Sequence, residues 1–144
     1  TLFVSDIIQE KRGTTADGRK VYTLFDVYPH ADLVTYPSEI EGFGNAFLEA
    51  VYFGRPIVVN RYSIYEIDIK PKGFRVIEFD GFITEQSIQM ARRALLEPEF
   101  VEEMAKINYK VARKHYSFSV LEMHLRALLT EIYGTNHQNG FTPA

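Results

Sequence analysis

Leu33-Val34-Thr35-Tyr36-Pro37-Ser38-Glu39-Ile40-Glu41-Gly42-Phe43-Gly44-Asn45-Ala46-Phe47-Leu48-Glu49-Ala50 is the stretch on which the reading of this chain turns. Leu33–Tyr36 is a short apolar run suited to a buried strand, and Pro37 closes it. From Gly44 to Phe53 the pattern changes to a helical period, with Phe47, Ala50 and Val51 on one face and Gly54 as the stop. Strand, Gly-containing turn and helix in that order make half of a βαβ unit, and Pro56 followed by Ile57–Val59 supplies the returning strand.

Working outward, Leu2–Ile8 has the composition of another buried strand, and Gln9–Lys20 that of a loop. Val21, Leu24, Phe25 and Tyr28 form a helical stripe that Pro29 ends. Tyr62–Gly73 reads as a long connection, and Phe74–Phe79 as a strand ending at the Asp80-Gly81 turn. Thr84 then introduces a helix to about Leu96 with Ile88, Ala91 and Leu95 facing inward. Pro98 opens another helix to about His115, and Ser117 or Ser119 caps a last one through Tyr133. Short apolar strands alternating with helices imply an α/β fold, a Rossmann-like parallel sheet with flanking helices, over residues 1–133; residues 134–144 read as a polar tail.

Composition bounds the function. The 144 residues suffice for one domain and not for a two-domain enzyme. A net charge of −3 offers no general attraction for nucleic acid or an anionic membrane, so no nucleic-acid partner is expected and any bound anion must be gripped locally. With no Cys there are no disulfides and no thiolate metal sites, which fits a reducing compartment, and a cytoplasmic location is the expectation. The longest apolar runs are four residues, far short of the ~20 a membrane span needs.

In a doubly wound sheet, ligands bind outside the carboxyl ends of the strands, which points to Tyr36–Asn45. Gly42 and Gly44 let backbone N–H groups approach a ligand, and the start of the following helix aims unpaired N–H groups and a partial positive charge at the same space, a site suited to phosphate. Glu49, one turn further in, leans back toward the helix start and could accept two vicinal hydroxyls side by side. Glu41 could meet a second sugar across the phosphates. Ser38 is either a ligand contact or a helix cap, and Arg61 and Glu66 stand near the next strand end as further candidates, with a surface ion pair and plain loop exposure as their competing readings. Spacing alone proves little, because thirteen Glu in 144 positions give roughly one pair eight apart by chance.

The context is more specific. Ala31-Asp32, Pro37-Ser38, Glu41-Gly42-Phe43-Gly44, Glu49-Ala50, Gly54 and Pro56–Val59, in this order, closely resemble the C-terminal, nucleotide-sugar-binding domain of retaining GT-B-fold glycosyltransferases of family 4, also called group 1. The likeness continues more loosely through Glu66, Glu97-Pro98-Glu99 and Tyr116-Ser117-Phe118. It implies a fragment of a hexosyltransferase that moves a sugar from a nucleotide-diphosphate donor to an unknown acceptor with retention, without cofactor or essential metal, and with the N-terminal acceptor domain missing. Glu41 then corresponds to the carboxylate near the transferred sugar and Glu49 to the one holding the ribose. Gly42, Phe43, Gly44 and Asn45 correspond to the segment touching sugar hydroxyls and diphosphate. The competing reading is a non-catalytic nucleotide-sugar-binding or interaction module of the same fold. The resemblance also matches Leu2–Ile8 to the third strand of the family domain and Leu33–Tyr36 to the fourth, which are not neighbours in the 3-2-1-4-5-6 order. Leu2–Ile8 is therefore expected either to pair abnormally beside Leu33–Tyr36 or to borrow a strand from another copy, the exposed sheet edge inviting self-association.

Overall fold

The computed structural model describes residues 3–134. Its centre is a three-stranded parallel sheet of β3 (Val34–Tyr36), β4 (Ile57–Asn60) and β5 (Ile77–Phe79), in that order. Ahead of it, β1 (Gly13–Thr14) and β2 (Lys20–Val21) form a small antiparallel hairpin, followed by the single turn of α1 (Leu24–Val27) and a 3₁₀ turn over Tyr28–His30. Seven of the expected elements thus appear near their expected bounds, the three parallel strands with α2 (Asn45–Tyr52) between β3 and β4 and α3 (Glu85–Leu96), α4 (Pro98–Tyr116) and α5 (Phe118–Tyr133) after β5. Beyond Gly134 the expected polar tail lies outside the described residues.

Register explains the layering. Tyr36 pairs with Val59 and Val59 with Glu78, so these three share one face with Val34 and Ile57, because side chains alternate along a strand. That face meets Phe47, Ala50 and Val51 of α2, all at most 1% exposed, together with Tyr62, Tyr65, Ile69 and Phe74. Phe47 stands edge-on to Phe74 with centroids 5.1 Å apart. From the opposite face Ile77 is buried, and α3 packs against β5. The long helix α4 leans on α2 and is fastened to the entry of β5 by Asn108, which accepts from the Arg75 N–H at 2.7 Å and donates to the Arg75 carbonyl at 2.8 Å. A buried amide satisfied on both its ends is stabilising where an unsatisfied one would be costly. Helix α5 touches α4, and none of its residues is buried.

Three expectations are corrected. Residues 3–8 are not a sheet strand: the Ile7 N–H turns back to the Val4 carbonyl, and Ile8 makes an isolated bridge to Tyr22, backed by Gln9 N–H to Tyr22 O and Tyr22 N–H to Ile7 O, each at 2.8 Å. Asp6 is drawn to Arg19 of the hairpin, which fixes the segment there and leaves β3 without a second neighbour among the described residues. The Tyr62–Gly73 connection is helical, with a π-helical stretch over Tyr65–Ile69 and a 3₁₀ turn over Lys70–Lys72. In α3 the inward face is Ser87 and Ala94, whereas Ile88 and Leu95 are 40% and 53% exposed. The reason is the cap: Thr84 and Ser87 exchange hydrogen bonds at the helix start, and with Ser87 turned inward the stripe one and two turns later falls on Met90, Ala91 and Ala94.

Phe47 is the residue on which sheet, α2 and the helical connection converge. Phe47→Ala should lower unfolding free energy by about 3–5 kcal/mol in urea titration, the usual cost of emptying an aromatic site in a packed core. Leu96→Ala, at a side chain 78% exposed, should change it by less than about 0.5 kcal/mol.

Candidate functional site

Beyond Tyr36 the chain crosses an eight-residue turn and enters α2 at Gly44. Gly44 has φ +85°, and a Cβ placed there would stand 2.6 Å from the Tyr62 hydroxyl and 3.3 Å from that of Tyr36. Two constraints, a left-handed backbone and a filled space, therefore coincide on one residue. Gly42 differs: a Cβ there meets nothing within 4 Å. Because the N-cap is a glycine without a side-chain acceptor, the N–H groups of Asn45 and Ala46 have no side-chain cap, while that of Phe47 bonds the Gly44 carbonyl at 3.0 Å, and the first turn of α2 carries no acidic residue. Ser38, half-buried in the turn, is not the cap.

Three tyrosines define the wall behind the turn. Tyr62, 1% exposed, donates its hydroxyl hydrogen to the Phe43 carbonyl at 3.2 Å and meets the Tyr36 ring edge-on, centroids 6.0 Å apart. Phe43 packs edge-on against Tyr116 at 5.3 Å, and the buried Tyr116 hydroxyl has no hydrogen-bond partner. On the helix side, the Tyr28 hydroxyl donates to Glu49 Oε2 at 3.1 Å and lies 3.4 Å from the Ala46 carbonyl, so Glu49 does lean back toward the helix start. Asn45 is exposed at the first helical position.

The tyrosine hydroxyls feel this environment. Burial first, and then the facing carboxylate, pushes Tyr28, beside Glu49, and Tyr36, beside Glu41, from 10.0 up to about 12; burial and the charge of Glu41 do the same to Tyr62.

The structure brings Ser38, Glu41, Gly42, Phe43, Gly44, Asn45 and Glu49 into one turn and the helix it opens. Arg61 and Glu66 belong to a separate cluster at the carboxyl ends of β4 and β5. There Glu78 accepts from Lys70 at 2.8 Å, from Arg61 at 3.1 Å and from the Tyr65 hydroxyl, while Glu66 lies 3.2 Å from Lys70 and 3.3 Å from Arg61. Burial alone would raise the Glu78 pKa, yet the hydrogen bonds from Lys70, Tyr65 and Arg61 outweigh it and hold the carboxyl below its ordinary value. Arg61 is thus committed to carboxylates, the competing reading of its position. Sequence inspection missed Tyr28, Tyr36 and Tyr62; for Tyr36 the available signal was a tyrosine at a strand's carboxyl end. Among the described residues no group of three or more His, Asp or Glu is placed to hold a metal ion, and no helix is long and apolar enough to cross a membrane.

Comparison with known proteins identifies the family. The model described as "Glycosyl transferases group 1" matches residues 9–94, more than half of the chain, and the chain belongs to that family. A mannosylglucosylglycerate synthase of Thermotoga maritima is 33% identical, over 72% of this chain and 28% of that protein. A second, of Petrotoga mobilis, is 47% identical over 40% of this chain and 14% of its own length. The chain therefore spans less than a third of the length of these curated relatives. No solved structure matches.

Two outcomes check this geometry. Gly44→Ala should lower the thermal midpoint while Gly42→Ala leaves it near the parent value; equal effects of the two would contradict the close approach at Gly44. The folded protein holds the tyrosine protons more tightly than the unfolded chain does. The stability tied to them is therefore intact below pH 10.0 and falls as pH rises through about 12, which melting curves paired with tyrosinate absorbance would follow.

Proposed function

We propose, from membership of this family of sugar transferases, that the chain is part of the donor-binding half of a longer, retaining hexosyltransferase, and that the turn from Tyr36 to Asn45 receives the nucleotide-diphosphate sugar. The observation carrying this is the uncapped start of α2 behind Gly44, flanked by one carboxylate in the turn and one in the helix. Backbone N–H groups and the helix dipole attract the diphosphate, whereas Glu41 and Glu49 would repel it, so the carboxylates address the two sugars on either side. Glu49 accepts the ribose hydroxyls, and Glu41 faces the transferred sugar.

As the bond from the anomeric carbon to the diphosphate oxygen breaks, positive charge grows on the sugar and negative charge on the leaving phosphate. Fixed N–H dipoles already aimed at the phosphate stabilise that charge without rearranging, and the carboxylate of Glu41 stabilises the sugar cation. No metal is required in this reading. Single helix-end interactions contribute only about 0.3–2 kcal/mol, so further cations from the rest of the longer protein complete the grip on the diphosphate. Within this chain Arg61 pairs with Glu78 and Glu66. The name shared by the two relatives makes a mannosyl group the first candidate for the transferred sugar. The chain alone should bind a nucleotide sugar weakly and turn nothing over.

The test is a panel of nucleotide sugars, with GDP-mannose first, offered to the full-length protein. Glu41→Gln should reduce turnover at least about a hundredfold, the scale on which removing an electrostatic stabiliser acts. Glu49→Gln should weaken donor binding. Turnover near the parent level in Glu41→Gln would contradict the assignment.

A further inference from the structure

Glu49 has a tyrosine partner drawn from the chain ahead of the turn. Tyr28, at the start of the 3₁₀ turn, donates to Glu49 Oε2 at 3.1 Å. The pairing follows from the reversal of the chain: β3 runs toward the turn and α2 runs away from it, so a residue well before the turn faces a residue well after it.

The Tyr28 ring is itself held: it stacks on Phe53, centroids 5.2 Å apart and planes 5° from parallel. A phenol hydroxyl is a single donor on a rigid arm, whereas a Glu side chain alone keeps several rotamers.

We propose that Tyr28 is a positioning residue, holding Glu49 for capture of the donor. This rests on the donor-site reading above. One hydroxyl occupies one lone pair of a carboxylate and leaves the remaining ones for sugar hydroxyls. The side chain is then ordered before the donor arrives, and its ordering no longer opposes binding. Because Glu49 would grip the nucleotide alike in the ground and transition states, loosening it raises KM and leaves kcat unchanged.

Tyr28→Phe keeps the ring packing and removes only the hydroxyl. It is measured in the full-length protein with the nucleotide sugar the panel identifies. Tyr28→Phe should raise donor KM about tenfold with kcat within about twofold, the scale of one hydrogen bond to a charged group. The loss should disappear when the partner is already changed, so that Tyr28→Phe adds nothing to Glu49→Gln. A merely structural role would instead add to Glu49→Gln and move both constants together, which overturns the proposal. Parent-like constants in Tyr28→Phe, with Glu49→Gln impaired, also overturn it and leave the donor-site reading standing. Parent-like constants in Glu49→Gln overturn that reading, and this proposal with it.

Discussion

Gly44 is where the structure has least latitude. Its left-handed backbone turns the chain from the end of β3 into α2, and the Tyr62 and Tyr36 hydroxyls fill the space a side chain would need. From that one residue follow the direction of α2 and the exposure of its first N–H groups. The position of Phe43, caught between the Tyr62 hydroxyl and the Tyr116 ring, depends on it too. Downstream, the direction of α2 decides which residues meet the sheet, and Phe47, Ala50 and Val51 form the core because the helix leaves the turn at this angle. Site and core are therefore two consequences of one local constraint, a helix start that is uncapped toward solvent and packed against the sheet behind.

Charge is distributed to match. Lys70 and Arg61 converge on Glu78, with the Tyr65 hydroxyl as a third donor, so the strong cations at the ends of β4 and β5 are spent on carboxylates. These groups are partly exposed, and their pairing contributes modestly to stability. It leaves the α2 start as the locus at this turn with unengaged donors and no acidic side chain of its own in the first turn. With a formal net charge of −3, the chain has no diffuse positive field, so any grip on an anion would have to come from a local dipole such as that at the α2 start.

Most of the sheet was legible in the sequence because strand, turn and helix each carry a local signature. Val34–Tyr36 and Ile57–Asn60 are short apolar runs bounded by Pro, and the α2 stripe repeats at helical spacing. Local signatures fail where a distant partner decides. Residues 3–8 look strand-like, yet the hairpin around Arg19 captures them. Pro71 and Gly73 make Tyr62–Gly73 look like a loop, although Tyr62, Tyr65 and Ile69 lie at helical spacing and all three are buried. The turn residues of the site could be picked out by glycines and carboxylates alone. Their tyrosine partners could not, since Tyr28 meets Glu49 across 21 positions and Tyr62 meets Phe43 across 19, distances that only the folded chain closes.

The central claim is that the diphosphate of a sugar donor sits on the N–H groups at the start of α2. Amide chemical shifts of the isotopically labelled chain during titration with GDP-mannose, with free mannose as the control, test it most directly. The account predicts shifts concentrated at Gly42, Gly44, Asn45 and Ala46, extending to Glu49, and absent with mannose alone. Shifts centred elsewhere, such as on the Phe100–Ile107 segment of α4, with the Gly42–Ala46 amides unmoved, would contradict it.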